Sequence, residues 1–151
     1  MKLLKQEYKD PLFKDPIISK LINVLMKKGN KSKIEKIVYK SLELIKKNTK
    51  KTPLTIIKKA ISNIKPSVEL KSIKIAAKSY QIPFEISLKR QQNLAIRWLV
   101  ESVNNRSEKE LTNRLYLEIL NAYQQKGNAF KKKDDIHHKA ESNRSFIHYR
   151  W

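Results

Sequence analysis

Apolar residues recur along most of this chain at intervals of three and four, the spacing that lines one face of an α-helix. Ile17, Ile18, Leu21, Ile22 and Leu25 form the first such face. Asp15-Pro16 precedes it, a capping carboxylate followed by proline at the first helical position, and Gly29-Asn30 is the expected stop. Ile34, Val38, Leu42 and Ile45 form a second stripe, with Ser32 and Glu35 spaced for a capping box at its start. Its last turn carries Lys46, Lys47 and Lys50, suited to the negative end of a helix dipole. Thr52-Pro53 predicts a third helix with Leu54, Ile57, Ile61 and Ile64 inward, stopped by Lys65-Pro66.

From Val68 the period changes. Tyr80, Ile82, Phe84 and Ile86 alternate with Gln81, Pro83, Glu85 and Ser87, which is strand spacing. Pro83 cannot donate to a ladder, so this is an edge strand or part of a two-stranded arm, turning near Ala76-Ala77-Lys78-Ser79. An isolated hairpin is marginal in water, so the arm is expected to rest on a partner. Helical spacing resumes near Arg90 with Leu94, Ala95, Trp98, Leu99 and Ser102. Ser107 and Glu110 predict a capped fifth helix with Leu111, Leu115, Ile119 and Tyr123 inward and Gly127 closing it. A sixth, more polar helix runs from about Asn128 towards Phe146-Ile147-His148-Tyr149. The expected fold is all-α: six helices with a protruding two-stranded β-hairpin arm at about 68–87. Residues 1–14 read as an N-terminal arm and 15–151 as one domain, without internal repeats.

Charge then narrows the function. The chain of 151 residues carries 34 Lys and Arg against 14 Asp and Glu, a formal +20. Residues 1–100 hold 24 basic and 7 acidic side chains, residues 101–151 hold 10 and 7, so a polyanion is expected mainly against the first two thirds. The absence of cysteine excludes disulfides, thiolate catalysis and Cys-type zinc sites. No apolar run approaches the roughly 20 residues of a membrane span. The N-terminus, MKLLKQEYKDPLF, resembles neither a secretory signal nor a transit peptide, so synthesis in the compartment of action is expected. Lys outnumbers Arg 28 to 6, a bias that reads as an AT-rich gene.

The candidate residues follow from that charge. Lys27, Lys28, Lys31, Lys33 and Lys36 crowd the first inter-helix turn with only Glu35 among them, beside helix-terminal amides that suit phosphate. A solvated face is the alternative, and the surrounding net charge favours nucleic acid. Lys71, Lys74 and Lys78 are expected to serve the hairpin in the same way, whereas Tyr80 reads as packing rather than base stacking. His137 and Glu141 share a helix face, but two ligands are too few for a metal, and His148 adds no clear third. Asp134-Asp135 reads as a solvated pair. With only two glycines, and no phosphate loop, HExxH or nucleophile elbow, no catalytic residue, cofactor or metal is assigned. Membrane-surface binding is weaker, because the apolar faces have one another to cover.

Several stretches together resemble ribosomal protein seven of the small subunit, in its bacterial and organellar branch. They are Asp10-Pro11 with Phe13, INVLMKKGNKS, IVYKSLE, NIKPSVELKS, YQIPFEI, LAIRWL and the C-terminal AESNRSFIHYRW, in family order over almost the whole chain. The resemblance implies a six-helix domain with a hairpin that binds the 3′ major (head) domain of small-subunit ribosomal RNA and nucleates head assembly. It also implies neighbouring head and platform proteins, with the hairpin near the messenger exit and exit-site transfer RNA. By position it adds Arg90, Arg97, Lys131, Lys132, Lys133 and Arg144 to Lys31, Lys71 and Lys74 as basic RNA-facing residues, and Lys9 of the N-terminal arm is expected to join them. Asn30 and Ile73 replace basic residues, Ala76-Ala77 replaces Gly-Gly, and the arm before Asp10 is short, with Lys2, Lys5 and Lys9. RQQNLAIRWL and EILNAYQQKG look closest to mitochondrially encoded members, which implies a ribosome of the mitochondrial matrix, with a plastid or bacterial cytoplasm as alternatives. A nucleoid-type DNA-binding protein is the other reading of the charge.

Overall fold

Asp15 opens the first helix by accepting a hydrogen bond from the Ile17 amide at 2.9 Å, and Pro16 follows with its φ already suited to a helix. In the computed structural model, which describes residues 9–149, this helix is α1 (Pro16–Leu25). It is followed by α2 (Lys31–Thr49), α3 (Pro53–Ile64) and a hairpin of β1 (Val68–Ile75) and β2 (Lys78–Glu85). Then come α4 (Leu88–Asn104), α5 (Leu111–Tyr123), α6 (Gly127–Ser142) and a 3-10 helix at Arg144–Tyr149. The helices and the two-stranded arm form the fold class that the hydrophobic pattern predicts.

Helix α5 lies at the centre, packed on α2, α3, α4 and α6. Its Leu115, Ile119 and Ala122 are buried among Val38, Leu42 and Ile45 of α2, Ile57, Ile61 and Ile64 of α3, and Ala95, Trp98 and Leu99 of α4. Each fully buried Leu or Ile contributes about 1.5–3 kcal/mol, so the joined stripes hold these helices more than propensity does. Ahead of α1, Asp10 is buried: its carboxylate accepts from the Leu12 and Phe13 amides and from the Tyr39 hydroxyl at 2.9 Å. That turn lays Phe13 against Tyr39 of α2, ring centroids 5.8 Å apart.

Several helix boundaries depart from the sequence expectation. α1 ends at Leu25, before Gly29, because Met26 is already extended; Lys28 and Gly29, with φ of 54° and 76°, then turn the chain. That turn starts α2 at Lys31 with Asn30 in the cap position, so Ser32 lies within the first turn and Glu35 pairs with Lys31 at 3.8 Å instead of closing a capping box. α5 begins at Leu111, not at a Ser107 cap. Arg106 grips Glu108 at 2.7 Å and Glu118 at 2.9 Å, which holds the connecting segment off the helix. Gly127 does not close α5. Gln125 does, at φ 59°, with the Lys126 amide on the Asn121 carbonyl and the Gln125 amide on that of Ala122, a Schellman arrangement. Gly127, at φ 88°, opens α6, where a Cβ would lie 3.1 Å from Glu118 Oε1. The last helix stops at Ser142, and the tighter 3-10 turn brings Phe146 and Tyr149 onto Tyr80.

Candidate nucleic-acid interface

The first inter-helix turn leaves Lys27, Lys28, Lys31 and Lys33 exposed, with Lys36 one turn into α2. Three of them, Lys27, Lys28 and Lys33, line one groove of about 490 Å³. Its floor is apolar (Leu25, Ile34, Ile37), and its far wall carries Lys109 and Arg114. Sequence reasoning missed those two, because only the packing of α5 beside α2 brings them to the turn. The groove is lined by five cations and no carboxylate, and Arg114 Nε is buried without a hydrogen-bond partner among the described residues. A buried donor left unpaired costs roughly 1–3 kcal/mol, which an entering phosphate oxygen would recover. Lys31 stands apart, turned towards Glu35.

On the hairpin, the register pairs Lys71 with Ile82, Lys74 with Ser79 and Ile75 with Lys78. Facing residues share a side of the ribbon and successive residues alternate, so Lys71 and Lys78 point to one face and Lys74 to the other. All three are exposed. The arm can therefore touch an anionic surface on both sides. Lys71 also lies over the Phe84 ring at 4.9 Å and 3.8 Å from Glu69. The turn is the two residues Ala76-Ala77, with Ala76 at φ 52°, a left-handed conformation that glycine adopts more readily. Tyr80 packs, as the alternation suggested, but on the 3-10 helix: its ring lies 5.1 Å from Phe146 and 5.2 Å from Tyr149.

The remaining basic positions divide by what they touch. Lys9, Arg97 and Lys131 are exposed, and Arg97 lines a small groove between α1 and α4 with Lys20, Asn23 and Asn93. Arg90 binds Glu69 of β1 at 3.1 Å and so braces the hairpin. Lys132 pairs with Glu101 at 2.6 Å, while Lys133 donates to the Asn63 carbonyl at 2.9 Å, so both tie α6 to earlier helices. Arg144 sits 3.4 Å from Glu141 on an exposed edge. Lys2 and Lys5 lie outside the described residues. His137 Nε2 accepts from the Ser67 amide at 3.2 Å, and no group of three metal-ligating residues gathers among the described residues. No described helix is long and apolar enough to cross a membrane.

The family model described as ribosomal protein S7p/S5e matches residues 2–144. Small ribosomal subunit protein uS7 of Pelagibacter ubique is 46% identical over 142 residues, covering 94% of this chain and 91% of the relative. The protein of the same name from Geotalea uraniireducens is 46% identical with the same coverage, and that of Kosmotoga olearia 44%, with 94% and 92% covered. With the match running through all six α-helices and the hairpin, this chain belongs to the ribosomal protein S7p/S5e family, structural and non-enzymatic proteins of the small ribosomal subunit.

Proposed function

We propose that this protein binds the 3′ major (head) domain of small-subunit ribosomal RNA and nucleates folding of the head. In this reading the hairpin reaches towards the messenger exit and exit-site transfer RNA, and the C-terminal segment meets head and platform proteins. The observation that carries it is the groove where Lys27, Lys28 and Lys33 meet Lys109 and Arg114 without a carboxylate. Such a cluster repels itself in isolation and is relieved by a phosphate backbone, with release of counterions. The rigid helices fix the spacing of the cations, so a folded junction of matching shape is preferred to an arbitrary polyanion. Lys71, Lys74 and Lys78 add a second contact region, and Lys9, Lys31, Arg97, Lys131 and Arg144 extend the exposed charge between and around them. Arg90, Lys132 and Lys133 support the interface chiefly by holding the hairpin and α6 in place.

Competition binding tests the reading. A transcript of the 3′ major domain should outcompete duplex DNA at equal salt, and equal affinity for both would favour the nucleoid-type alternative. Steep salt dependence alone separates nothing, since either ligand is a phosphate chain. A mitochondrial ribosome is proposed from RQQNLAIRWL and EILNAYQQKG alone, while the relatives above are bacterial. Co-sedimentation with small subunits from separated organelle and cytoplasmic fractions decides the compartment.

A further inference from the structure

We infer that His137, together with Phe146 and Tyr149, positions the hairpin arm for its RNA contact. The inference rests on the proposed role of Lys71, Lys74 and Lys78. The hairpin has only two strands, too few for independent stability, so its direction must be set by what its root touches. Ser67 is that root. Its carbonyl accepts from the Ile86 amide at 3.4 Å, which closes the base of the ribbon, and its own amide donates to His137 Nε2 at 3.2 Å. Ser67 thus couples the ribbon to α6 through one imidazole. Further out, Tyr80 of β2 packs against both Phe146 and Tyr149, whose own rings stack on each other 6.0 Å apart. On another element, Arg90 of α4 holds Glu69. These contacts reach the root and middle of the arm, while the residues around the turn, from Lys74 to Ser79 apart from half-buried Ile75, stay exposed.

The chemistry of the root makes the device sensitive to protons. Nε2 can accept only while the ring is neutral with its proton on Nδ1. The charged groups near the ring are Lys133, Asp134, His138 and Glu141 on its own helix and Arg144 on the 3-10 helix; the hairpin residues lining the same cavity, Ser67, Val68 and Pro83, bring none. Burial first, then Lys133, lowers the imidazole below its ordinary 6.5, which favours the accepting form. A lowered histidine value stabilises the fold fully above the unfolded value, and that contribution fades as pH falls below 6.5 through the folded value. Acid should therefore loosen the arm before it disturbs the helical core.

The test uses the full chain, amide exchange and RNA binding. His137→Ala should speed exchange across 68–85, leave exchange in α3 and α5 unchanged, and weaken binding to the 3′ major domain transcript by about fivefold, the scale of one net hydrogen bond. His137→Gln, whose amide oxygen can take the place of Nε2, should restore slow exchange and abolish the loosening between pH 7 and pH 5. Phe146→Ala with Tyr149→Ala should reproduce the exchange effect independently of pH. In a Lys71, Lys74, Lys78→Ala background, His137→Ala should cost no further affinity, because the positioned cations are gone. Unchanged exchange in His137→Ala overturns the inference, as does a fivefold loss that persists in the triple background. Faster exchange beside a triple variant that binds like the parent instead removes the hairpin from the RNA interface, so the two failures are distinct.

Discussion

Arg106→Ala should destabilise the fold by about 3 kcal/mol, although the side chain belongs to a surface connection. The reason is Glu118, fully buried on α5. Its Oε2 accepts from Arg106 Nη1 at 2.9 Å and its Oε1 from the Ala129 amide at 3.3 Å, at the positive end of α6. One carboxylate thus fastens the α4–α5 connection, α5 and the start of α6. Removing the guanidinium leaves a buried charge with a single amide. Losing one partner of a buried pair costs roughly 3–5 kcal/mol. The lower end applies, because the Arg106 side chain keeps 19% of its surface open and water can follow it inward.

Glu118→Gln keeps the volume and one acceptor, and Arg106 retains Glu108, so about 1–2 kcal/mol is expected. Glu108→Ala should be mildest, since Glu118 still holds the arginine. The Arg106 hydrogen bond keeps the Glu108 carboxyl below its ordinary 4.5, so that stabilisation is complete above pH 4.5 and is lost as pH falls through the lowered value. Urea and thermal unfolding at pH 7 read the order directly. For a chain of this size about 3 kcal/mol corresponds to a Tm lower by about 6–12 °C. An Arg106→Ala midpoint within about 2 °C of the parent, at unchanged m, would refute the idea that this carboxylate depends on its arginine.

Trp98→Ala should cost about 3–5 kcal/mol in urea unfolding, because the ring is 8% exposed within the core. Gly127→Ala should cost at least about 1 kcal/mol from its positive φ and the contact with Glu118, whereas Gln125→Gly should gain about 0.5–1 kcal/mol; calorimetry of the pair checks the opposite signs. The Tyr39 hydroxyl, raised by burial and by its bond to Asp10, should titrate at about 12 by phenolate absorbance. Its contribution is full below pH 10.0 and is lost as pH rises from there through about 12, and Tyr39→Phe should cost about 1–2 kcal/mol at pH 7. Lys109→Ala should weaken transcript binding across sequences and reduce the salt slope by about one, and an unchanged slope would place it outside the interface.

The helices were legible because each buries a stripe whose period is local. Ile17 to Leu25 or Leu111 to Tyr123 need no knowledge of what covers them. Asp15-Pro16 was legible too, since a cap followed by proline acts within three residues. Two of the failures are places where a distant group overrode a local motif. Ser107 and Glu110 have the spacing of a capping box, yet Arg106 drew Glu108 aside on its way to Glu118, twelve residues on. Gly127 reads as a helix stop by composition. Its actual task, clearing space over Glu118 while the chain turns into α6, depends on an α5–α6 approach that no local window contains.

The interface divides along the same line. That lysine gathers at Lys27 to Lys33 is a statement about sequence, and those residues are indeed exposed. Whether neighbouring lysines share a target is a statement about direction: the hairpin register sends Lys71 and Lys78 to one face and Lys74 to the other, while Lys132 and Lys133 turn back onto Glu101 and Asn63. Conversely, Lys109, just before α5, and Arg114, in its first turn, carry no local mark distinguishing them from solvated surface charges. They become part of a groove only because Leu115 and Ile119 seat α5 in the core and fix its first turn opposite Lys27, Lys28 and Lys33. The greasy stripe of α5 thus determines which cations converge, so a core substitution that shifts α5 should loosen the phosphate groove without touching a basic residue.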